Sequence, residues 1–160
     1  RVDLQSAFKD MKEKLQAMKK PASIKGFLVQ EMINGGVMEV IIGIKREPQI
    51  GPVLLFGLGG IFTEVMKDFS LLVCPVSQAD VREMVREIKG FKLLEGFRGS
   101  LPADIDALED ALLDVSKLAM ATKDQIEEID INPLLVLPKG QGVRAIDALF
   151  IKGENPYNKS

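Results

Sequence analysis

The 160-residue sequence contains no histidine. Ser-His-Asp and Cys-His nucleophilic catalysis, histidine-ligated zinc and a phosphohistidine carrier are therefore excluded within these residues. Cysteine is nearly as scarce. Cys74 stands alone, so no internal disulfide can form, which fits a reducing compartment and predicts a cytoplasmic location. Lying between Val73 and Pro75 with no activating partner, it reads as a buried structural thiol. A charge excess is missing too: 21 basic and 23 acidic residues are mixed along the chain, leaving a formal charge of -2 and no broad basic face for nucleic acid. Any anion site must be local. The most apolar run, "GPVLLFGLGGIF", is too short and too rich in glycine to span a bilayer, and "RVDLQSAFKDMKEKL" reads as an amphipathic helix rather than a signal peptide. No membrane role is expected.

What is present, 46% hydrophobic and 28% charged residues, is the composition of an ordinary soluble domain with one sizeable core. Ala7, Phe8, Met11, Leu15 and Met18 have helical spacing, which predicts an opening helix from Asp3 to Lys19 that ends before Pro21. Nothing ahead of it would cap or pack it, and the first residue is not methionine, so the segment is expected to come from a longer protein. Strand-like runs follow: "IKGFLVQEM", then "GVMEVIIGIKRE" after the turn signal Asn34-Gly35-Gly36, then "PVLLF" after Gly51. "GLGG" interrupts this meander, and "IFTEVM" and "FSLLVCPV" resume it. Ser77 then caps a helix, Gln78 to Lys89, that would bury Val81, Met84, Val85 and Ile88. A second helix, Ala103 to Thr122, would bury Ile105, Leu108, Leu112, Val115 and Leu118. Strands cluster before and after two helices without a βαβ rhythm, so the class is α+β, a mainly antiparallel sheet packed with helices.

The stretch "IEEIDINPLLVLPKGQGVRAIDALF" carries the most chemistry. Along a strand successive side chains face opposite ways, so Ile129 and Ile131 can enter a core while Glu128, Asp130 and Asn132 share the other face. If Leu137 pairs with Gly142 around "PKGQ", Asn132 lies opposite Asp147, and Ile146, Ala148 and Phe150 join the isoleucines in the core; a slip of one residue would turn Asp147 away. Hard oxygens in this arrangement suit Mg²⁺, which shares its shell with water and substrate phosphates. A solvated strand face shows the same alternation, so spacing alone leaves both readings open.

Other candidates are weaker by themselves. "LLFGLGGIFTE" can offer backbone N–H groups to phosphate, but it is neither a Walker loop nor Gly-x-Gly-x-x-Gly, and a tight strand connection accounts for it equally. "LVQEMING" could present backbone groups to an adenine edge or simply end a strand. Arg98, in "GFRGS", is an exposed loop arginine suited to a phosphate or to a plain surface role.

Taken together, "FLVQEMINGGVMEVIIGIKREPQIGPVLLFGLGGIFTEVMKD", "REIKGFKLLEGFRG" and "EIDINPLLV" with "AIDAL" resemble the ATP-grasp region of the NDP-forming acyl-CoA synthetases. These are relatives of the succinyl-CoA synthetase beta subunit and the ADP-forming acetyl-CoA synthetases. The resemblance runs in motif order from about Ile24 to Ile151. It implies an ATP-grasp C-terminal subdomain over residues 23–152, with residues 1–22 a helix left from the preceding subdomain and 153–160 a tail. It implies ATP or ADP as ligand and Mg²⁺ held by Asn132 and Asp147, with the motif's leading, catalytic acid at Asp130, an aspartate where the succinyl-CoA synthetase branch has glutamate. Gln30, Glu31 and Met32 fall on the hinge near adenine, Glu39 on the acid after it, and Gly59, Gly60 and Glu64 on the turn and acid beside the phosphates.

The resemblance also implies what the chain lacks: the N-terminal ATP-grasp subdomain with its glycine-rich lid and phosphate-binding lysine, and CoA-binding and CoA-ligase domains bearing the family's histidine. These partners would sit on the same chain or another subunit, and a homo-oligomer is compatible. The expected function is the nucleotide and Mg²⁺ part of a ligase converting acid, CoA and ATP to acyl-CoA, ADP and phosphate, inactive alone. The alternatives are a ligand-binding, synthetase-like regulatory domain of a protein acetyltransferase, and an interaction domain that has lost its ligand.

Overall fold

The computed structural model describes residues 3–18, 23–60 and 67–153. They fall into two compact units, residues 1–32 and 33–160. In the first, α1 (Leu4–Gln16) is capped by Asp3, whose carboxylate accepts the Gln5 N–H at 3.1 Å. The helix thus carries its own start signal, contrary to the expectation of an uncapped entry, and ends at Gln16 rather than Lys19. Its apolar stripe buries nothing fully: Leu4, Phe8 and Met11 stay 60%, 47% and 52% exposed. Phe8 meets Phe27 edge-on, with ring centroids 4.6 Å apart. Ile24–Met32, expected as a strand, forms none. Apolar residues mark a segment that wants burial, but a strand also needs a ladder partner for its backbone groups, and the described residues of this unit include no other strand.

The second unit is built on a six-stranded antiparallel sheet in the order β3-β2-β1-β4-β5, with β6 pairing β4 further along. The hairpin of β1 (Met38–Glu47) and β2 (Gly51–Leu58) closes at Gly51, whose φ of 88° favours glycine. Next come β3 (Phe69–Val73), α2 (Gln78–Glu87), α3 (Phe91–Leu94) and α4 (Ile105–Ala121). The chain then returns through β4 (Ile126–Val136), β5 (Val143–Ala145) and β6 (Ala148–Lys152). Alternation sorts the strands as the sequence pattern requires. Val40, Ile42 and Ile44 of β1, Leu54, Phe56 and Leu58 of β2, and Ile129, Leu134 and Val136 of β4 are buried. The expected strand "IFTEVM" lies outside the described residues.

The helices cover one face. Ser77 caps α2 in a reciprocal box: its Oγ accepts the Asp80 N–H at 3.3 Å, and Asp80 accepts the Ser77 N–H at 2.8 Å. The Ser77 hydroxyl, donating to Asp80 Oδ2 at 2.7 Å, and then the Ser77 N–H hold the Asp80 carboxylate below its ordinary range. Val81, Met84, Val85 and Ile88 are buried as expected. On α4 the buried line is Leu108, Leu112, Val115 and Ala119, while Leu118 is 39% exposed and lies off it. Glu109 falls on the buried side, 2% exposed, and is held by Arg82 and Arg86 of α2 at 3.6 and 3.2 Å and by Gln78 at 3.3 Å. Cys74 is buried, and desolvation pushes its thiol up against smaller opposing hydrogen bonds from Ser116 and Leu54. Among the described residues no helix is long and apolar enough to cross a membrane.

Candidate functional site

The sheet's second face carries the candidate residues. Leu137 N–H donates to Gly142 O at 3.0 Å, and the same register runs from Val136 paired with Val143 to Glu128 paired with Ile151. This places Asn132 opposite Asp147, joined by a 3.2 Å bond from the Asn132 N–H to the Asp147 carbonyl. Both side chains are exposed and Asp130 is half-buried. The expected core role of the facing residues is only partly met: Ile129 is buried, but Ile146 and Phe150 are 41% and 49% exposed and Ala148 is exposed too. The physical reason is coverage. α4 packs on β1, β2, β4 and β5, and α2 on β3, so the β6 edge lies outside the helical layer.

Asn132 and Asp147 also share a break in the ladder. On β1, Val40 pairs with Leu134 and Ile42 with Ile131, so Ile41 alone faces both Asn132 and Pro133. This bulge shifts the phase of β4, and its buried positions jump from Ile129 to Leu134 and Val136. The neighbouring strand is interrupted at the same level, between β5 and β6, where the Ile146 N–H bonds the Pro133 carbonyl at 3.0 Å. A bulge re-aims side chains and frees backbone from the ladder, which is the local geometry a bound ligand needs. Asp147 spends one oxygen on the Ala148 N–H at 2.9 Å.

Neighbouring rows complete the face. Gly43 pairs with Asp130 on one side and Leu55 on the other, leaving an open floor beside the acid. Glu39 pairs with Leu135, two rows further along, at roughly 7 Å per row. Gly59 is brought to Glu39: its N–H donates to the Glu39 carbonyl at 2.7 Å, and a Cβ there would stand 2.9 Å from that oxygen. Gly60 follows with φ 65°. Thus Glu39, Gly59 and Gly60 meet at one end of the face, and Asp130, Asn132 and Asp147 cluster nearer its middle. Gln30, Glu31 and Met32 are exposed residues of the first unit, and Glu64 lies outside the described residues.

Sequence reasoning missed several contributors. Lys45 and Arg144 project on this face, paired with Glu128 and Leu135 respectively; alternation from Gly43 could have found Lys45, whereas Arg144 stands three residues from Asp147 across the strand break and is out of phase with it. Asp104 was missed too. It caps α4 by accepting the Ala107 N–H at 3.3 Å, and with its other oxygen accepts the Gly142 N–H at 2.7 Å, pinning the β4–β5 turn. Arg98 has φ 51° and its guanidinium lies 5.3 Å from the Phe97 ring centre.

The donor set fits Mg²⁺ as a partial site. Among the described residues no group of three or more His, Cys, Asp or Glu could hold a metal. One amide and neighbouring carboxylates instead supply a few hard oxygens, the number Mg²⁺ takes when phosphates and water fill its shell.

Comparison with known proteins places the chain in a family. An ATP-grasp domain family matches residues 1–151. The chain is 43% identical over 152 residues to acetate–CoA ligase [ADP-forming] I of Archaeoglobus fulgidus, covering 95% of this chain and 22% of that protein. It is 42% identical over 152 residues to the acetate–CoA ligase [ADP-forming] II subunit beta of Pyrococcus furiosus, covering 94% of this chain and 64% of the subunit. Among solved structures, the dinucleotide forming acetyl-coenzyme A synthetase 1 of Ca. Korarchaeum cryptofilum is 42% identical with a TM-score of 0.69 over 76% of this chain and 55% of that one. It is in complex with coenzyme A and Mg-AMPPCP, its phosphohistidine segment pointing towards the nucleotide binding site. The chain therefore spans less than two thirds of the length of these relatives. With an α+β fold, a predominantly antiparallel sheet and this match over nearly its full length, the chain belongs to the ATP-grasp family, in the branch of the ADP-forming acetyl-CoA synthetases.

Proposed function

We propose that this chain is the nucleotide- and Mg²⁺-binding part of an NDP-forming acyl-CoA synthetase, which converts acid, CoA and ATP to acyl-CoA, ADP and phosphate. The observation that carries the reading is the meeting of Asn132 and Asp147 at a shared ladder break on the uncovered face, with Asp130 one row away. When bound, Mg²⁺ supplies neutralisation of phosphate charge. Asn132 and Asp147 hold it through their side-chain oxygens. Gly60 offers the phosphates its backbone N–H, Gly59 lets the turn come close because its own N–H is held by the Glu39 carbonyl and it has no side chain, and Glu39 borders them. Asp130 places a charge beside the open floor at Gly43 and acts as the catalytic acid of the site. Gln30 to Met32 line the adenine. Positioning and electrostatics of this kind are most of what phosphoryl transfer asks of a protein.

Residues 1–22 then belong to the preceding ATP-grasp subdomain and 23–152 to the C-terminal subdomain, with 153–160 a tail. The exposed apolar stripe of α1 supports that assignment, because it needs a cover that the described residues of this unit do not provide. The remaining ATP-grasp subdomain and the CoA-binding and CoA-ligase parts are the partners, and they must bring the histidine, since these 160 residues contain none. The buried lone Cys74 supports a reducing cytoplasm. The test is turnover by the complete protein: ADP and acyl-CoA formed from ATP, a free acid and CoA support the reading. Nucleotide binding without any ligation, next to an acetyltransferase domain, would replace it with a regulatory role.

A further inference from the structure

Asp68 is a buried carboxylate, 6% exposed, for which the site described above has no use. It immediately precedes β3, at the end of the connection that leaves β2 through Gly59 and Gly60. Both of its oxygens are engaged: Oδ1 accepts the Lys89 N–H and Oδ2 the Gly90 N–H, each at 2.8 Å. These donors form the elbow between α2 and α3, so the carboxylate binds the strand end to the helical layer.

The surroundings leave this elbow little freedom. A Cβ on Gly90 would overlap the Leu58 side chain and stand 3.2 Å from Asp68 Oδ2. A Cβ on Gly57 would stand 2.9 Å from the Asp68 carbonyl oxygen. Leu58 is fully buried, and the next residue is Gly59, bonded to Glu39. A short chain of contacts results. The Asp68 carboxylate holds Gly90, Gly90 lies closely against the buried Leu58 side chain, and Leu58 leads directly into Gly59 and Gly60.

We infer that Asp68 is a positioning residue for the nucleotide site, holding the Gly59-Gly60 turn at working height by anchoring the α2–α3 elbow against Leu58. The inference rests on the proposed role of that turn beside the phosphates. Asp68 itself, buried and fully engaged with the backbone, does not touch the ligand. Displacing reacting groups by about 1 Å can cost on the order of 100-fold in rate, so a support of this kind matters.

Asp68→Asn removes one of the paired acceptors, and Gly90→Ala pushes the same elbow off Leu58 while leaving the carboxylate in place. In the complete enzyme both should raise KM for ATP about tenfold or more, with KM for CoA unchanged. Val81→Ala, which loosens α2 without touching the elbow, should leave the ATP KM alone. Equal rises in the ATP KM for all three variants would mean general destabilisation and overturn the assignment, as would an unchanged ATP KM in both elbow variants. Hydrogen exchange in the 160-residue chain gives a readout independent of activity: the Gly59 amide should exchange about tenfold faster in Asp68→Asn, with the β1–β4 amides unchanged. Unchanged exchange at Gly59 overturns the coupling whatever the enzyme does. An enzyme that fails to turn over ATP while Gly59 exchange still responds would instead sink the functional reading and leave the coupling standing.

Discussion

The helix-covered face of the sheet and its open face are made by the same strands, one residue for each in alternation, yet they answer to different physics. On the covered face, positions such as Phe56, Ile42 and Ile129 are 0 to 1% exposed and held by packing, where each methylene counts. On the open face Asn132 and Asp147 remain exposed and are held by the backbone instead: a bulge, a strand break and the bonds between them. Packing thus fixes where the second face points, and leaves the side chains on it free for chemistry.

The largest separation of the two faces should come from Asp147→Ala and Asn132→Ala. In the complete enzyme each should lower turnover by about 100-fold or more, as removal of a fixed electrostatic partner does, while melting stays within a few degrees of wild type. Normal turnover in Asp147→Ala would mean that the metal is held elsewhere. Ile129→Ala should do the reverse, costing about 2–5 kcal/mol in urea unfolding and sparing the nucleotide affinity of the folded protein. Ile131, only half-buried, should cost less than Ile129 when truncated.

Within the covered side, Glu109→Gln should destabilise by about 1–3 kcal/mol, because it weakens a buried acceptor shared by two arginines and an amide. Arg82 and Arg86 reach solvent and can rehydrate, which keeps the loss moderate. The smallest effect concerns acid stability. Asp80 titrates below its ordinary 3.8 in the folded chain, so its contribution is present above that pH and fades as pH falls through the lowered value. Ser77→Ala should flatten this acid-side loss in a pH series of urea midpoints, with α2 weakened at neutral pH through its lost cap.

Most of the sheet was legible because burial imposes a period of two. The β4–β5 register followed from one turn, "PKGQ", and correctly brought Asn132 to Asp147. The failures have specific causes. Ile24–Met32 reads as a strand from its composition, but a strand is completed by a neighbour, and the pattern within a segment does not reveal one. Ile146, Ala148 and Phe150 stay exposed instead of joining the core, since the extent of the helical layer depends on how α2 and α4 pack. The bulge at Asn132-Pro133 went unread, and so did the links that Asp68 and Asp104 make to backbone N–H groups 21 and 38 residues away, at Lys89 and Gly142. The family resemblance is what proposes Asn132 and Asp147 as metal ligands, whereas spacing alone could not separate them from a solvated face.

The central claim is that the open face, at the shared ladder break, is where a metal nucleotide binds. It is tested most directly by adding Mn²⁺ with ADP to the isotopically labelled chain and following paramagnetic broadening of its amide signals. Broadening should centre on Asp130, Asn132 and Asp147, leave α2 and α4 sharp, and disappear in Asp147→Ala. Broadening centred on the helices, or undiminished in that variant, would contradict the account.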